Sequence, residues 1–343
     1  MQADPAFVAM ALQKLARVIA PDGDRVEGVQ RLSGGASQQT WGFEIRGGVC
    51  SRPLVLRHAA PGAAERVGMT AGLDVEAHLI AAAKTAGVPV PGIHHVLRPE
   101  DGLGQGFVME RLQGETLGRR IVRDARFANA RRVLARQCGE ALARIHAMPI
   151  ADLPDTLRRG GPSAELQFQI DLHRSHGTTR PVFELAFQWL GKHCPDDVTP
   201  VLVHGDFRNG NLMVGESGLL GVLDWELAHL GDPMEDLGWL CVNSWRFGAV
   251  DLPVGGFGTR EDLFAGYAAA GGQVDLQRVH YWEVMGTLKW GIVCESMFHA
   301  WLAGHERDVE KAAIGRRASE SEIDLLMLLA PHRKAIDARP AES

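Results

Sequence analysis

The 343-residue chain reads as an α+β protein in two lobes, a small mixed β-sheet unit with one main helix followed by a larger, mostly helical part. Three observations predict this. Short β-prone runs separated by glycine turns fill residues 26–60, whereas helical spacing of apolar residues dominates the later chain. The length suits roughly two domains. A composition of 45% hydrophobic and 23% charged residues belongs to an ordinary globular core and excludes a disordered, collagen-like or coiled-coil chain. The boundary falls after residue 112, giving a first lobe over 1–112 and a second over 113–343.

The elements follow in order. Phe7, Val8, Ala11, Leu12, Leu15 and Ile19 recur at helical spacing with no basic segment before them, so the chain opens on an amphipathic helix and not a signal peptide. Val26–Leu32, Thr40–Ile45 and Pro53–His58 are strands; a glycine loop, Ser33-Gly34-Gly35-Ala36-Ser37, joins the first two and Gly47-Gly48 turns into the third. A helix over Asp74–Thr85 is stopped by Gly87, Pro89 and Pro91. Ile93–Leu97 and Gly106–Leu112 are two more strands. Leu134, Cys138, Ala141, Leu142 and Ile145 mark a helix ending near His146, and another lies around Val182–Leu190. Val201–Trp225 is strand and loop, and long helices cover about 276–303 and 318–330.

Bulk properties narrow the function. A net charge of −6 and a pI near 6.2 argue against a general nucleic-acid binder. The five cysteines stand at least 47 residues apart with no C-x-x-C pair, which fits neither a zinc framework nor a disulfide scaffold but a reducing, cytoplasmic setting. No apolar run reaches the ~18–20 residues that span a bilayer, so no membrane partner is expected. Only six of the 36 cationic residues are lysines. Residues 119–136 carry seven arginines and one acid, Asp124, which reads first as a solvated helix face and alternatively as a site for an anionic partner or substrate.

The chemistry concentrates between Val201 and Leu240. Asn211–Val214 and Leu219–Trp225 flank Gly215-Glu216-Ser217-Gly218, a hairpin in which positions summing to 433 face each other, Asn211 opposite Val222. Asn211 and Asp224 then share its open end, and Asp206, five residues before Asn211, lies close to the same spot. Two carboxylates and a carboxamide make hard oxygen ligation suited to Mg²⁺ bridging phosphate oxygens. His204 and His229 lack the H-x-H or H-E-x-x-H spacing of a transition-metal site.

The run His204-Gly205-Asp206-x-Arg208-x-x-Asn211, with Asp224 thirteen residues later, resembles the catalytic loop and metal-binding aspartate of kinases. The H-G-D form, Leu223-Asp224-Trp225-Glu226 and Gly231-Asp232-Pro233-x-x-Asp236-Leu237-Gly238 resemble the aminoglycoside phosphotransferase and choline kinase-like family, which has a protein kinase-like fold. The resemblance implies transfer of the γ-phosphate of a Mg-nucleotide, ATP with GTP as the other option, to a hydroxyl of a small-molecule substrate. It implies that Asp206 orients the acceptor hydroxyl, Arg208 contacts the transferring phosphoryl group, and Asn211 and Asp224 hold Mg²⁺. His204 would pack, Asp236 would brace the loop and Asp232 would cap the next helix, with Pro233 at its first position. Upstream it places Ser33, Gly34, Gly35 and Ser37 over the phosphates, Glu76 as an orienting acid, and the backbone of Glu110 and Leu112 against the nucleobase.

One departure stands on the third strand, where Arg57 replaces the family's lysine. A guanidinium keeps the charge and forks onto two phosphate oxygens, but with another reach and geometry. An active enzyme and an inactive nucleotide-binding relative are both consistent with it, and the complete set Asp206, Asn211 and Asp224 favours activity. Similarity runs from about residue 30 to 240 and fades in 150–200 and after 245, where this family builds its substrate sites. Residues 151–200 hold seven acids against five Arg/Lys, no strong excess for a polycationic acceptor. Trp290, Met297 and Trp301 fall on one helix face, as core packing or as a pocket for an apolar or quaternary-ammonium group.

Overall fold

The computed structural model describes residues 4–34, 38–48, 50–59, 70–196, 198–305 and 308–330. Helix α1 (Pro5–Ile19) starts where the Asp4 side chain accepts the Ala6 N–H at 3.0 Å, and it buries Val8, Ala11, Leu12, Leu15, Ala16 and Ile19. Phe7, expected on that face, is 46% exposed, because the buried stripe begins one residue later.

Strands β1 (Arg25–Gly34), β2 (Gln38–Gly47) and β3 (Cys50–Ala59) precede helix α2 (Leu73–Thr85), and β4 (Ile93–Val96) and β5 (Gly106–Glu110) follow it. They form one antiparallel sheet in the order β1-β2-β3-β5-β4, with β3 central. Period-two alternation divides its faces. Trp41, Phe43, Ile45, Leu54, Leu56 and Val108 join α1 in one apolar cluster, while Arg57 points to the opposite face. Ser33 and Gly34, expected in the loop, complete β1; Gly35 and Ser37 lie outside the described residues. Strand β5 ends at Glu110, so Leu112 stands beyond it and not within the strand.

The second lobe carries α3 (Gly118–Arg123), α4 (Ala128–His146), α5 (Pro162–Ser175) and α6 (Pro181–Lys192). Four short strands, β6 (Val201–Val203), β7 (Leu212–Gly215), β8 (Gly218–Val222) and β9 (His229–Gly231), pair as β6 with β9 and β7 with β8. Then come α7 (Met234–Leu240), α8 (Arg260–Ala269), α9 (Leu276–Leu302), α10 (Val309–Gly315) and α11 (Ala318–Leu329). A second apolar core gathers Leu134, Leu142 and Ile145 of α4 with Leu237, Leu288 and, from the first lobe, Leu73, Ala77 and Ile80 of α2. The aromatic stripe on α9 is not core throughout. Trp290 packs on Trp245 with ring centroids 4.9 Å apart, but Trp301 is 39% exposed as the helix runs on to its end.

Helices α4 and α8 cross in close backbone contact. A Cβ at Gly139 would lie 2.1 Å from the Leu263 carbonyl oxygen, and one at Gly266 2.0 Å from that of Arg136. Neither neighbour is a movable side-chain end. Gly139→Ala or Gly266→Ala should therefore destabilise the protein by about 1–3 kcal/mol, the usual cost of overpacking; an unshifted midpoint in urea unfolding would show that the crossing relaxes freely.

Candidate active site

The loop after β6 is held from beneath by one carboxylate. Asp236, fully buried on α7, accepts the backbone N–H of His204 at 2.8 Å and of Gly205 at 2.9 Å, and meets His146 Nε2 at 3.1 Å. Burial pushes its pKa up, but these donors and the nearby imidazoles outweigh it and hold the carboxyl below its ordinary value. Gly205 has φ of +77°, and a Cβ there would sit 2.5 Å from the Leu227 carbonyl oxygen, so only glycine fits. His204 is buried, with Nε2 3.0 Å from the Leu223 carbonyl and Nδ1 accepting the Asp206 N–H at 3.2 Å. Those partners specify a neutral ring protonated on Nε2, and burial lowers its pKa in the same sense.

Asp206 is fixed by three donors. Its Oδ1 accepts from Arg208 Nε at 2.8 Å and Trp239 Nε1 at 2.9 Å, and its Oδ2 accepts from Asn211 Nδ2 at 2.7 Å. Asn211 Nδ2 also donates to the Asp206 carbonyl at 2.9 Å, which turns its amide oxygen away from the loop. The expected hairpin register holds at the turn, where Val214 faces Leu219 and Gly215 faces Gly218, and a shift between Met213 and Val214 moves the open end by one residue, so that Leu212 and not Asn211 faces Val222. Asn211 stays at the open end, where its carbonyl accepts the Leu223 N–H at 2.8 Å and so borders Asp224. Asp224 adopts φ 63° and ψ 69°, left-handed backbone that a non-glycine residue keeps only where its surroundings fix it. Here the Leu223–Asn211 bond and a single 3₁₀ turn over Trp225–Leu227 fix it.

Arg57 enters from the sheet, opposite Thr40 on β2 and Phe107 on β5. Its Nε lies 2.9 Å from Gln38 Oε1 and 3.4 Å from Glu76 Oε2; an outer nitrogen lies 2.6 Å from Asp224 Oδ1 and 3.6 Å from Glu226 Oε2. Burial works against its charge, and Glu76 and Asp224 more than compensate. Glu76 is buried, and desolvation pushes its pKa up to about 7 against the pull of Arg57. The sheet edge facing the cleft ends at Glu110, whose N–H donates to the Gly92 carbonyl at 2.8 Å and whose carboxylate lies 3.7 Å from Lys84 Nζ.

The structure thus brings Asp206, Arg208, Asn211, Asp224, Arg57 and Glu76 together, with Glu110 and Leu112 at the sheet's end and Ser33 and Gly34 closing β1. Asp232 does receive the Met234 N–H at 2.9 Å, but α7 begins one residue later than expected, and the buried Asp232 also pairs with Arg278. Sequence reasoning missed Gln38, Trp239 and Lys289. Trp239 lies one helical turn past Asp236 in the same motif, a spacing that signals a shared face. Lys289 Nζ stands 5.4 Å from the Trp239 ring centroid and 3.7 Å from Glu165 Oε1; burial opposes its charge, and Glu165, Glu235 and Asp206 raise its pKa above the ordinary value. Elsewhere, His173, His176 and Glu295 cluster closely enough to hold a metal, but Glu295 already binds Thr178 and lies 3.3 Å from Arg180, so its charge is met within the protein.

A five-stranded antiparallel sheet over a helical lobe, with this loop between them, defines a two-lobed, protein kinase-like fold. The chain belongs to the phosphotransferase enzyme family, whose model matches residues 28–272. It is 29% identical over 205 residues to acyl-CoA dehydrogenase family member 10 of Mus musculus, covering 57% of this chain and 18% of that protein. It is 26% identical over 318 residues to the probable acyl-CoA dehydrogenase IBR3 of Arabidopsis thaliana, covering 83% and 38%. The chain therefore spans less than two fifths of the length of either relative. Among solved structures, a putative aminoglycoside phosphotransferase from Ralstonia eutropha JMP134 superposes with a TM-score of 0.73 at 19% identity, over 94% of this chain and 97% of that one. A spectinomycin phosphotransferase in complex with ADP and spectinomycin gives 0.60 at 14% identity, over 93% and 98%. Among the described residues, no helix is long and apolar enough to cross a membrane.

The Glu76 carboxyl carries a sign that can be checked. It titrates near 7 in the folded protein against 4.5 in an open chain, so its contribution to stability is lost as pH rises from about 4.5 to about 7. Glu76→Gln should flatten that part of the pH–stability profile of the nucleotide-free protein, measured by chemical denaturation; parallel profiles would place its titration outside this window.

Proposed function

We propose that this chain transfers the γ-phosphate of a Mg-nucleotide, ATP first and GTP as the other donor, to a hydroxyl of a small molecule. In this reading residues 1–112 hold the nucleotide, and residues 113–343 carry the catalytic loop and the acceptor site. The observation that carries it is the convergence of Asp206, Asn211 and Asp224 at one hairpin mouth beneath the Arg57 guanidinium. The ADP complex of the spectinomycin phosphotransferase supports a nucleotide donor.

Asp206 would accept the acceptor O–H and hold its oxygen in line with the phosphoryl group, Trp239 and Arg208 keeping the carboxylate from rotating. Arg208, on the same oxygen, would reach the transferring group. Arg57 would grip phosphate oxygens, with Glu76 and Gln38 aiming its fork. Ser33, Gly34, Gly35 and Ser37 would offer backbone N–H groups to the phosphates, and the backbone of Glu110 and Leu112 would meet the base. The oxygen donors fit Mg²⁺: the Asn211 amide oxygen faces away from its own loop, and Asp224 lies among carboxylates that outnumber the cations around it. When bound, the ion neutralises charge on the β- and γ-phosphates.

Asp206→Asn should lower transfer by roughly 10²–10⁴-fold while nucleotide binding holds, and retained turnover would refute its role. Asp224→Ala should remove metal-dependent nucleotide affinity in calorimetry, whereas unchanged affinity would refute the ligand assignment. One observation favours a second reading, a nucleotide-binding module without turnover: Arg57 lies 2.6 Å from Asp224, directly on the acid assigned to the metal. Transfer of labelled γ-phosphate across a library of hydroxyl compounds separates the two, and Mg-dependent nucleotide binding with no transfer would select the second.

A further inference from the structure

Of the seven arginines of residues 119–136, Arg132 is exposed on α4 and the other six divide into two groups. Arg120 and Arg126 reach Glu115, Arg136 reaches Glu140, and Arg131 donates to the Ile121 and Asp124 carbonyls. These are satisfied surface side chains. Arg119 and Arg123, one turn apart on α3, face a cavity of about 510 Å³. Among the described residues Arg119 has no hydrogen bond or ion pair, and Arg123 donates only to the Phe247 carbonyl at 2.9 Å. Neither has a carboxylate partner. The far wall brings Arg317, paired with Glu320 at 2.9 Å, and Asp324, bonded to Asn243 at 2.8 Å. Asp324 meets only that neutral amide, so among the described residues the lining sets one carboxylate without a cationic partner against two guanidiniums without an anionic one, an excess of positive charge.

One segment, residues 243–247, touches the loop that follows β6 and contributes to the lining of this cavity. Asn209, buried beside Asn211, donates to the Trp245 carbonyl at 3.0 Å and the Gly255 carbonyl at 2.6 Å, and the Arg208 guanidinium lies 4.6 Å from the Trp245 ring centroid. Residues Asn243, Ser244 and Phe247 of the segment so anchored line the cavity. Resting on the transfer reading above, we infer that Arg119 and Arg123 bind an anionic group, carboxylate or phosphate, of the acceptor substrate, whose hydroxyl reaches Asp206 past Trp245. Two guanidiniums without counter-ions in one concave site are the geometry that planar or tetrahedral oxyanions satisfy. The acceptor class is then a hydroxylated acid or phosphate ester, opposite in charge to an aminoglycoside.

The test uses the intact chain and pairs of hydroxyl compounds, each a carboxylate or phosphate monoester with its neutral amide or ester. The wild type should prefer the anionic member. Arg119→Ala/Arg123→Ala should raise its KM at least about tenfold with kcat within about threefold, as for lost charge-assisted hydrogen bonds, and Arg119→Lys/Arg123→Lys should restore part of the preference. A preference for neutral or cationic acceptors, or an unmoved KM, overturns the proposal. Failure of every acceptor would instead count against the transfer reading, and a second arm decides the cavity alone. Calorimetric titration with inorganic phosphate in the presence of Mg-ADP should show binding that the double alanine variant loses, a separate regulatory anion being indicated if acceptor KM is unmoved; no binding, or equal binding by both proteins, overturns the site.

Discussion

A single carboxylate without access to solvent organises the centre of this molecule. Asp236 gathers two consecutive backbone N–H groups of the loop after β6 and an imidazole from α4, so two separate chain segments are tied to one side chain on α7. Without it, those donors would be buried and unpaired, each at the cost of a desolvated polar group. The same helix places Trp239 one turn further on, with its indole N–H on Asp206. Helix α7 therefore anchors the loop from below and orients its acid from the side.

Arg57 plays the corresponding part for the sheet. One guanidinium answers Glu76, Asp224 and Glu226 at distances from 2.6 to 3.6 Å, and Gln38 takes a further N–H. A lysine at this position would present one compact charge, whereas the planar fork addresses several directions at once. Burial pushes the Glu76 carboxyl up to about 7 against the pull of Arg57, and the neighbouring Asp224 and Glu226, which leave negative charge in excess here, add to the rise. That excess also suits the joint binding of a divalent cation with a nucleotide.

Much of this was legible in the sequence, and the gaps have physical causes. The strands, α2 and the Asp206–Asn211–Asp224 set were readable because glycine turns and motif spacing are local signals. The hairpin register was misjudged by one residue at its open end because a bulge between Met213 and Val214 leaves no mark in the apolar alternation. Lys289 could not be found by spacing, since it reaches the site from α9, far along the chain, and Gln38, next to Ser37, carries no motif of its own and is marked only by its contact with Arg57. Trp301 could not be settled from the sequence because helical periodicity reveals a face but not whether anything covers it.

The two apolar clusters do not divide the chain where its sequence does. Helix α2 belongs by its buried face to the core of the helical lobe, whereas the back of the sheet is covered by α1 with Leu97 and Leu103. The division between cores consequently runs through the sheet itself, whose α2-facing side carries Phe107 in the helical-lobe core beside the polar contacts of Arg57 with Glu76 and Asp224. Sliding of the sheet over α2 would break apolar contacts as well as exchange ion pairs, so the sheet is tied to the helical lobe by packing and by charge together.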